Sequence, residues 1–251
     1  MAITTTTKDG VTEIVMRHPH VNALTVGDTW AIRDAFEAAG RDPSVRAVIL
    51  TAEGKGFNAG IDIKEMQSVE GFDHLLGSSE ACYATFKAIY DCPVPVIAAV
   101  NDFCMGLGIG LVGSSDIIIA SSAARFGLPE VDNGALGCAS HLARLVPPLK
   151  LRQMTFTCIP ATAQELFEYG TVFKVVEPEA LRDEALALAQ HIAKKPADAI
   201  RFAKAALNHI DPHDLHTNYR LEQGYTYQLN LIGTGDQQRD AFISKEREVT
   251  R

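Results

Sequence analysis

The chain has 251 residues, of which 47% are hydrophobic and 22% charged, with a formal net charge of −8. These values are typical of a globular protein with a sizeable core, and the lack of a Lys- and Arg-rich run disfavours a nucleic-acid partner. Five cysteines without a C-x-x-C pair indicate reduced thiols rather than a disulfide framework or a zinc site. No apolar run is long enough to span a bilayer, and the Thr-rich start lacks a signal-peptide core. We therefore expect a cytoplasmic protein with no membrane partner.

The first half of the chain alternates predicted strands with predicted helices. Strands are predicted in "VTEIVMR", "VRAVILTAEG", "VPVIAAVN" and "DIIIAS", and helices in "VGDTWAIRDAFEAAGRD" and across residues 71–90. Asp62, in "FNAGIDIKEM", stands where a helix N-cap or first-turn acid is expected. Continuous apolar strands separated by helices predict an α/β fold whose sheet is covered on both faces.

After residue 134 the pattern becomes mainly helical. Helices are predicted over 138–158, 162–169 and 178–193, with a short strand in "TVFKVVE", and everything beyond Pro196 has a helical pattern. We therefore predict a core of residues 1–195 and a C-terminal helical region of residues 196–251. The C-terminal helices carry apolar faces with little of the main core left to cover, which indicates a subunit interface.

Two loops share one design, in which a buried strand ends, a glycine-containing turn follows and a helix begins. They are "FNAGID", after "AVIL", and "CMGLGIG", after "VIAAV". A helix start leaves backbone N–H groups without partners, and two such groups directed at one point form an oxyanion hole. Because glycine turns are weak evidence, two ordinary strand–helix turns remain an alternative at this point.

An ordered series of motifs resembles the crotonase (enoyl-CoA hydratase/isomerase) superfamily over nearly the whole chain. The motifs are "VNAL" (21–24), "GFNAGIDIKEM" (56–66), "VPVIAAVNDFCMGLGIGL" (94–111), "SDIIIAS" (115–121) and "FGLPEV" (126–131). The resemblance implies a crotonase-type ββα spiral core with a CoA-ester site, and a C-terminal helical trimerisation region. It also implies an acyl-CoA substrate, no metal, no cofactor beyond the coenzyme A of the thioester, and a homotrimer or dimer of trimers.

The resemblance assigns an oxyanion hole and its surroundings. By position, the two amides that polarise a thioester carbonyl fall on Ile61 and Leu107. The other candidates for contact with the substrate or coenzyme A are Ala59, Gly60, Lys64, Gly106, Gly108, Gly110, Phe242 and Lys245. The stretch "TGDQQRDAF", before the last two of these, is shorter than in the usual family version.

Family hydratases carry two glutamates, and this chain keeps one of them. Glu130 matches the second, whereas the first position is Gly110, which has no side chain to manage a proton. Hydration needs one group to activate water and one to manage the proton, so we expect hydration of simple enoyl-CoA to be badly impaired. His141 lies on the segment that lines the acyl pocket in relatives, and Asp132 is a loop acid that follows Glu130. We count both with Glu130 as candidate catalytic residues, since histidine titrates near working pH.

Within the superfamily, four stretches resemble actinobacterial enzymes that open a ring late in steroid breakdown. They are "DIKEMQSVEGF", "GIGLVGSSD", "LPEVDNGALGCASHLARLVP" and "YRLEQGYTYQLNL". That likeness implies attack of water on a ring ketone of a β-keto thioester, with departure of a thioester enolate. Gly110 would also make room for a fused-ring acyl group. The alternatives are a one-glutamate enoyl-CoA isomerase or weak hydratase of fatty-acid-type β-oxidation, and a CoA-ester-binding protein without catalysis.

Overall fold

Two β-sheets carry the fold in the computed structural model, which describes residues 2–68 and 71–244. The strands are β1 (Ile3–Lys8), β2 (Val11–Met16), β3 (Ala47–Ala52), β4 (Val96–Val100), β5 (Cys104–Met105), β6 (Ile117–Ser121), β7 (Arg125–Gly127), β8 (Ala161–Thr162) and β9 (Val172–Val176). The larger sheet has the order β1-β2-β3-β4-β6-β9, and β5, β7 and β8 form the smaller one. Within the larger sheet β1 is antiparallel to β2, and the remaining pairs are parallel.

Helices cover the sheets and form most of the C-terminal part of the chain. They are α1 (Val26–Arg41), α2 (Ile63–Met66), α3 (Asp73–Tyr90), α4 (Leu107–Gly113), α5 (Ala139–Leu142), α6 (Pro148–Thr157), α7 (Ala163–Glu168), α8 (Leu181–Ala193), α9 (Ala197–Ile210), α10 (Leu215–Leu231) and α11 (Thr234–Ser244). None of the helices in the described ranges has both the length and the apolarity needed to cross a bilayer.

The central strands of the larger sheet are buried on both faces. Along β3, Val48 and Leu50 pack into the main core, whereas Ala47 and Ile49 pack on the other face against α8. The two sets alternate because successive side chains of a strand point to opposite faces of the sheet. This arrangement confirms the predicted α/β fold with both faces of the sheet covered.

Two local elements differ from the sequence prediction. No strand is predicted before "VTEIVMR", yet β1 forms there and pairs with β2 along six residues. Its four consecutive threonines are β-branched and suit an exposed edge strand, although they lack the alternation that predicts one. The single helix predicted over 138–158 is two helices, α5 and α6. The break covers residues 143–147 and ends at Pro148, the first residue of α6, because proline cannot continue a helix from the preceding turn but is tolerated in the first turn.

The C-terminal helices are attached to the core by specific polar contacts. On α9, Lys204 is buried, and its Nζ donates to Asp116 Oδ1 at 2.6 Å. The other oxygen of Asp116 accepts from Val96 N at 2.8 Å. Helix α10 packs on α3 and α5, and α11 packs on α2 and on the turn at 131–133. The boundary at residue 195 stays a prediction, but α10 and α11 are closely joined to the core.

Candidate active site

A cavity of about 140 Å³, partly open to solvent, lies beside the two glycine loops. Its walls come from both loops, from α3, from the segment 129–138, and from α10 and α11. Most of the lining is apolar, with a small number of polar groups between the apolar side chains. This composition is typical of sites that bind small molecules.

Asn58 holds the two glycine loops together. Its Nδ2 donates to Asn22 O at 2.6 Å, and its Oδ1 accepts from Gly60 N at 2.9 Å. Its own carbonyl accepts from Met105 N at 2.8 Å, which ties the first loop to the second. A Cβ built on Gly106 would lie 3.6 Å from Gly60 Cα. The two loops therefore lie side by side at one place.

The amides of Ile61 and Leu107 both border the cavity. The carbonyl of Gly60 accepts from Leu24 N at 3.0 Å. Because the C=O and N–H of one trans peptide unit point in opposite directions, the Ile61 N–H points away from Leu24. Leu107 is the first residue of α4, where an N–H has no acceptor within the helix. Two amide donors thus reach one cavity, and their use as an oxyanion hole stays a prediction.

The turns that carry these amides need glycine. Gly60 has a φ of 103° and Gly106 a φ of 55°, values that glycine adopts at little cost. A Cβ on Gly106 would also lie 2.6 Å from Glu130 Oε1. Any side chain at position 106 would therefore displace the carboxylate of Glu130.

Glu130 places one carboxyl group in the cavity beside the second loop. It follows β7 and precedes the short 3₁₀ turn at 131–133. Its Oε2 is buried and has no hydrogen-bond partner among the described residues. Burial raises the pKa of Glu130 to about 8, and the charge of nearby Glu222 adds to the rise. A carboxyl group with a pKa near working pH is suited to taking up and returning a proton.

Gly110 does not enlarge the cavity, contrary to the expectation from the sequence. The ring of Phe86 fills the space, and a Cβ on Gly110 would lie 2.0 Å from Phe86 Cζ. Phe86 packs in turn on His141 and Tyr219, with ring centroids 4.7 and 5.1 Å away. Gly110 is not among the described residues that line the cavity. The space of the missing glutamate is therefore filled by protein and gives no room to a fused-ring acyl group.

His141 lies behind the cavity wall, so the predicted contact with the substrate is wrong. It is 1% exposed and is not among the described residues that line the cavity. A Cβ on Gly113 would lie 2.6 Å from His141 Cβ, which shows how tightly α5 packs on α4. Burial, with a contribution from the positive charge of Arg144, lowers the pKa of His141 to about 3. The imidazole is therefore a neutral ring of the core at any working pH.

The other candidate acid and the candidate coenzyme A contacts lie outside the cavity lining. Asp132 is exposed on the turn after Glu130 and is not among the described residues that line the cavity, so its catalytic role stays a prediction. Lys64 is exposed on α2, and Phe242 is 47% exposed on α11. Neither of them is among the described lining residues, and a contact with coenzyme A stays a prediction. Lys245 lies outside the described residues.

Of the remaining candidate residues in the two loops, some line the cavity and one serves close packing of the backbone. Ala59, Gly60 and Gly106 line the cavity, and their contact with substrate or coenzyme A stays a prediction. Gly108 is not among the described lining residues; a Cβ there would lie 3.0 Å from Asn58 Cβ in the first loop. Gly108 therefore lets α4 pack closely on the first loop, and it does not touch the cavity itself.

Sequence reasoning missed a polar wall that α10 and α11 contribute. Tyr219, Gln223 and Thr226 of α10 and Arg239 of α11 line the cavity, and all four are buried. The three residues of α10 recur at helical spacing, and that polar stripe was the available signal. The C-terminal region was expected to serve oligomerisation, but it also completes the cavity of its own chain.

Glu222 of α10 fixes the wall segment that follows Glu130. Its two carboxylate oxygens accept from Ala139 N at 2.8 Å and from Ser140 N at 2.7 Å. These N–H groups belong to the first turn of α5, where a carboxylate satisfies donors that the helix leaves free. Helix α10 thus positions the acyl-pocket wall as well as lining the cavity.

The cysteines of the cavity are neutral thiols. All five cysteines of the chain are free, and Cys82 and Cys138 line the cavity. Burial raises the pKa of Cys82 to about 12 and that of Cys138 well above its usual range. Since the thiolate is the nucleophilic form, these side chains serve as wall rather than as nucleophiles. Within the described ranges no group of three or more His, Cys, Asp or Glu could hold a metal ion.

Comparison with known proteins agrees with this fold and cavity. Residues 6–246 match the family model described as Enoyl-CoA hydratase/isomerase. The chain therefore belongs to the enoyl-CoA hydratase/isomerase family. A crystal structure of an enoyl-CoA hydratase/isomerase from Xanthobacter autotrophicus Py2 is 28% identical, with a TM-score of 0.86 over 97% of this chain and 92% of that one. The predicted crotonase fold is confirmed.

Two similar relatives carry the same name, (7aS)-7a-methyl-1,5-dioxo-2,3,5,6,7,7a-hexahydro-1H-indene-carboxyl-CoA hydrolase. The protein from Rhodococcus jostii (strain RHA1) is 52% identical, over 97% of this chain and 95% of its own. The protein from Mycobacterium tuberculosis (strain ATCC 25618 / H37Rv) is 51% identical, over 98% of this chain and 100% of its own. The predicted likeness to CoA-ester hydrolases of the family is confirmed.

Proposed function

We propose that this chain is a CoA-ester hydrolase that opens the ring of a cyclic β-keto acyl-CoA in steroid breakdown. The observation that carries the proposal is a single buried carboxyl group, Glu130, in one cavity with the amides of Ile61 and Leu107. The relatives at 51% and 52% identity are named as hydrolases of a bicyclic CoA ester with two ring ketones. A substrate of that class fits a largely apolar cavity with two fixed donors.

The proposed reaction begins with water and Glu130. The ionised carboxylate takes a proton from water while the water oxygen bonds to the ring-ketone carbon, whose oxygen becomes an alkoxide. When the C=O bond re-forms, the adjacent ring C–C bond breaks and its electron pair moves into a thioester enolate. The amides of Ile61 and Leu107 stabilise the enolate oxygen. Glu130 then returns the proton to the ring carbon, so that one water is consumed and a carboxylic acid is formed.

Three rival functions are disfavoured on different grounds. Hydration of a C=C bond needs a second acid or base, and Phe86 fills the position from which family hydratases supply it. A one-glutamate isomerase needs only Glu130, and the hydrolase names of the relatives favour ring opening over it. Binding without catalysis would gain nothing from Glu130, since a buried carboxyl oxygen that no described residue binds costs free energy.

A substrate comparison tests the proposal. The protein is incubated separately with a bicyclic β-keto CoA ester and with crotonyl-CoA, and each product is identified by mass while free thiol is titrated. We expect the bicyclic ester to gain one water and to keep its coenzyme A. Hydration of crotonyl-CoA should be about 10²–10⁴-fold slower than by a two-glutamate hydratase. Release of free coenzyme A, or efficient hydration of crotonyl-CoA, would contradict the proposal.

We also propose assembly as a homotrimer or a dimer of trimers through the C-terminal helices. Four large apolar side chains of α9 and α10 are 60–75% exposed in the single chain: Phe202, Leu207, Leu221 and Leu231. Exposed apolar side chains gathered on neighbouring helices usually mark an interface. Sedimentation velocity at micromolar concentration should give a trimer or a hexamer, and a stable folded monomer would rule the assembly out.

The proposed location is the cytoplasm, and the proposed reaction uses no cofactor beyond the coenzyme A of its substrate. Five free thiols support a reducing compartment. Activity of the purified protein after dialysis against a chelator checks the second point, because a required metal would be lost with the chelator.

A further inference from the structure

Arg239 of α11 brings a guanidinium group to the cavity wall. The residue is 7% exposed. Its Nη2 donates to Asn230 Oδ1 at 2.5 Å and pairs with Asp236, and its Nε donates to Gln67 Oε1 at 3.2 Å. Among the described residues that line the cavity, Arg239 is the only lysine or arginine.

The contacts of Arg239 fix the plane of the guanidinium from three segments of the chain. Gln67 follows α2, Asn230 belongs to α10, and Asp236 lies on α11 itself. Gln67 is held in turn by Asp240, whose Oδ1 accepts from Gln67 Nε2 at 2.6 Å. The contacts use Nε and Nη2, and the third nitrogen, Nη1, carries two further N–H donors. The group is therefore preorganised by the protein before any ligand arrives.

The charge of Arg239 is compensated unevenly. The side chain of Arg239 is 8% exposed, whereas that of Asp236 is 63% exposed. An ion pair with an exposed partner is weakened by solvent, so Asp236 offsets the buried charge only in part. A buried cation is costly unless negative charge is placed beside it. A clamp between helices would not need this charge, because the amide side chains of Gln67 and Asn230 can bond neutral donors equally well.

We propose that Arg239 binds the oxygen of the ring ketone that water attacks, an inference that rests on the proposed ring opening. Two oxygens gain negative charge in that reaction. The thioester oxygen has the amides of Ile61 and Leu107, and the ketone oxygen needs a donor of its own. Arg239 supplies one from the wall that α10 and α11 form. After C–C cleavage the same oxygen belongs to the new carboxylate, which the guanidinium binds by charge-assisted hydrogen bonds.

Turnover by three variants tests the proposal first. Arg239→Met removes the charge at similar length, Arg239→Lys keeps the charge without the planar fork, and Arg41→Met is a control at a side chain that is 72% exposed on α1. Loss of one oxyanion donor typically lowers kcat by about 10²–10³-fold, and we expect that loss for Arg239→Met. Arg239→Lys should keep part of the activity, and Arg41→Met should match wild type. Circular dichroism of each variant checks that it is folded.

Binding to the wild-type protein gives a readout that does not depend on any variant. Calorimetry compares the ring-opened CoA ester with the same compound whose new carboxylate is replaced by a primary amide. We expect the carboxylate to bind about 10- to 100-fold more tightly, and Arg239→Met to abolish that preference. Equal affinity of the two compounds for the wild type would overturn the inference, as would wild-type turnover by Arg239→Met. If the wild type opens no ring, the proposed function itself fails, which is a separate outcome.

Discussion

The resemblance to family hydratases places their two acids at Glu130 and Gly110, and the structure of the chain differs between these two positions. At Glu130 a carboxyl group is kept in an apolar place, with a buried oxygen that no described residue binds. At Gly110 the side chain is missing, and Phe86 takes its place in the packing. The packing at Gly110 therefore leaves no hole where the resemblance places a second acid. Among the described residues that line the cavity Glu130 is the only Asp or Glu, and the proposed reaction assigns both proton transfers to it.

The largest expected effect comes from removing the remaining acid. Glu130→Gln should lower ring-opening turnover by about 10²–10⁴-fold, because the general base is lost. The affinity for the CoA ester should persist, since the donors at Ile61 and Leu107 are backbone groups. Steady-state kinetics and calorimetry on the same preparation check both statements. Glu80→Gln, at a side chain that is 53% exposed on α3, is the matched control. If Glu130→Gln keeps near-normal turnover, Glu130 is structural only.

The raised pKa of Glu130 predicts a pH profile of definite sign. The base must be ionised, and a pKa of about 8 leaves it mostly protonated at neutral pH. The value of kcat/KM should therefore rise about tenfold per pH unit below pH 8 and level off above it. Initial rates measured from about pH 5.5 to about pH 9.5 give this pH dependence of kcat/KM. A flat profile, or an inflection near the ordinary value for histidine, would contradict Glu130 as the base.

The fit of Phe86 against Gly110 predicts an unusual response to alanine. In most helices Gly→Ala stabilises by up to about 1 kcal/mol, but at position 110 the added Cβ must displace the Phe86 ring. We expect Gly110→Ala to destabilise by about 1–3 kcal/mol, and Phe86→Leu in the same chain to relieve part of that cost. Urea unfolding measures both effects. Gly77→Ala in α3, where a new Cβ meets nothing within 4 Å, should instead be neutral or stabilising.

The smallest effect is expected at His141. His141→Phe keeps a ring between Phe86 and Tyr219, so turnover and its pH profile should stay close to those of the wild type. His141→Ala should instead lower the midpoint of thermal unfolding, because a buried ring is lost from the core. Turnover of both variants and the wild type is measured at several pH values, and the thermal unfolding midpoint of each protein is measured as well. Loss of turnover in a well-folded His141→Phe protein would return a chemical role to this residue.

The sequence predicts the parts of the site that rest on local signals. The loop glycines at 60 and 106 mark turns, Asp62 caps α2 by accepting from Lys64 N, and Glu130 follows from a short motif after a strand. Two prolines, Pro147 and Pro148, are also a local signal for the break between α5 and α6. The prediction of one continuous helix followed the apolar pattern on either side of them instead.

The errors at the site share one cause, which is that they depend on packing between distant segments. Phe86 and Gly110 belong to different helices, and only the fold shows that one fills the space of the other. His141 has the chemistry of a catalytic residue, yet its neighbours Phe86 and Tyr219 bury it in the core. The cavity wall from α10 was missed for the same reason, since nothing within its sequence tells a cavity-facing stripe from a core-facing one.

Because α10 and α11 form one wall, two separate parts of the chain contribute different features to the cavity. Strands and short loops from the first half hold the two amides and Glu130, while the later helices form part of the wall of the proposed acyl site. Substitutions at Gln223 or Thr226 can therefore alter which acyl groups fit, without moving the backbone that handles the thioester. A protein shortened at residue 195 would keep Glu130 and the amides of Ile61 and Leu107, but it would lose Arg239 and the part of the cavity wall that α10 and α11 supply.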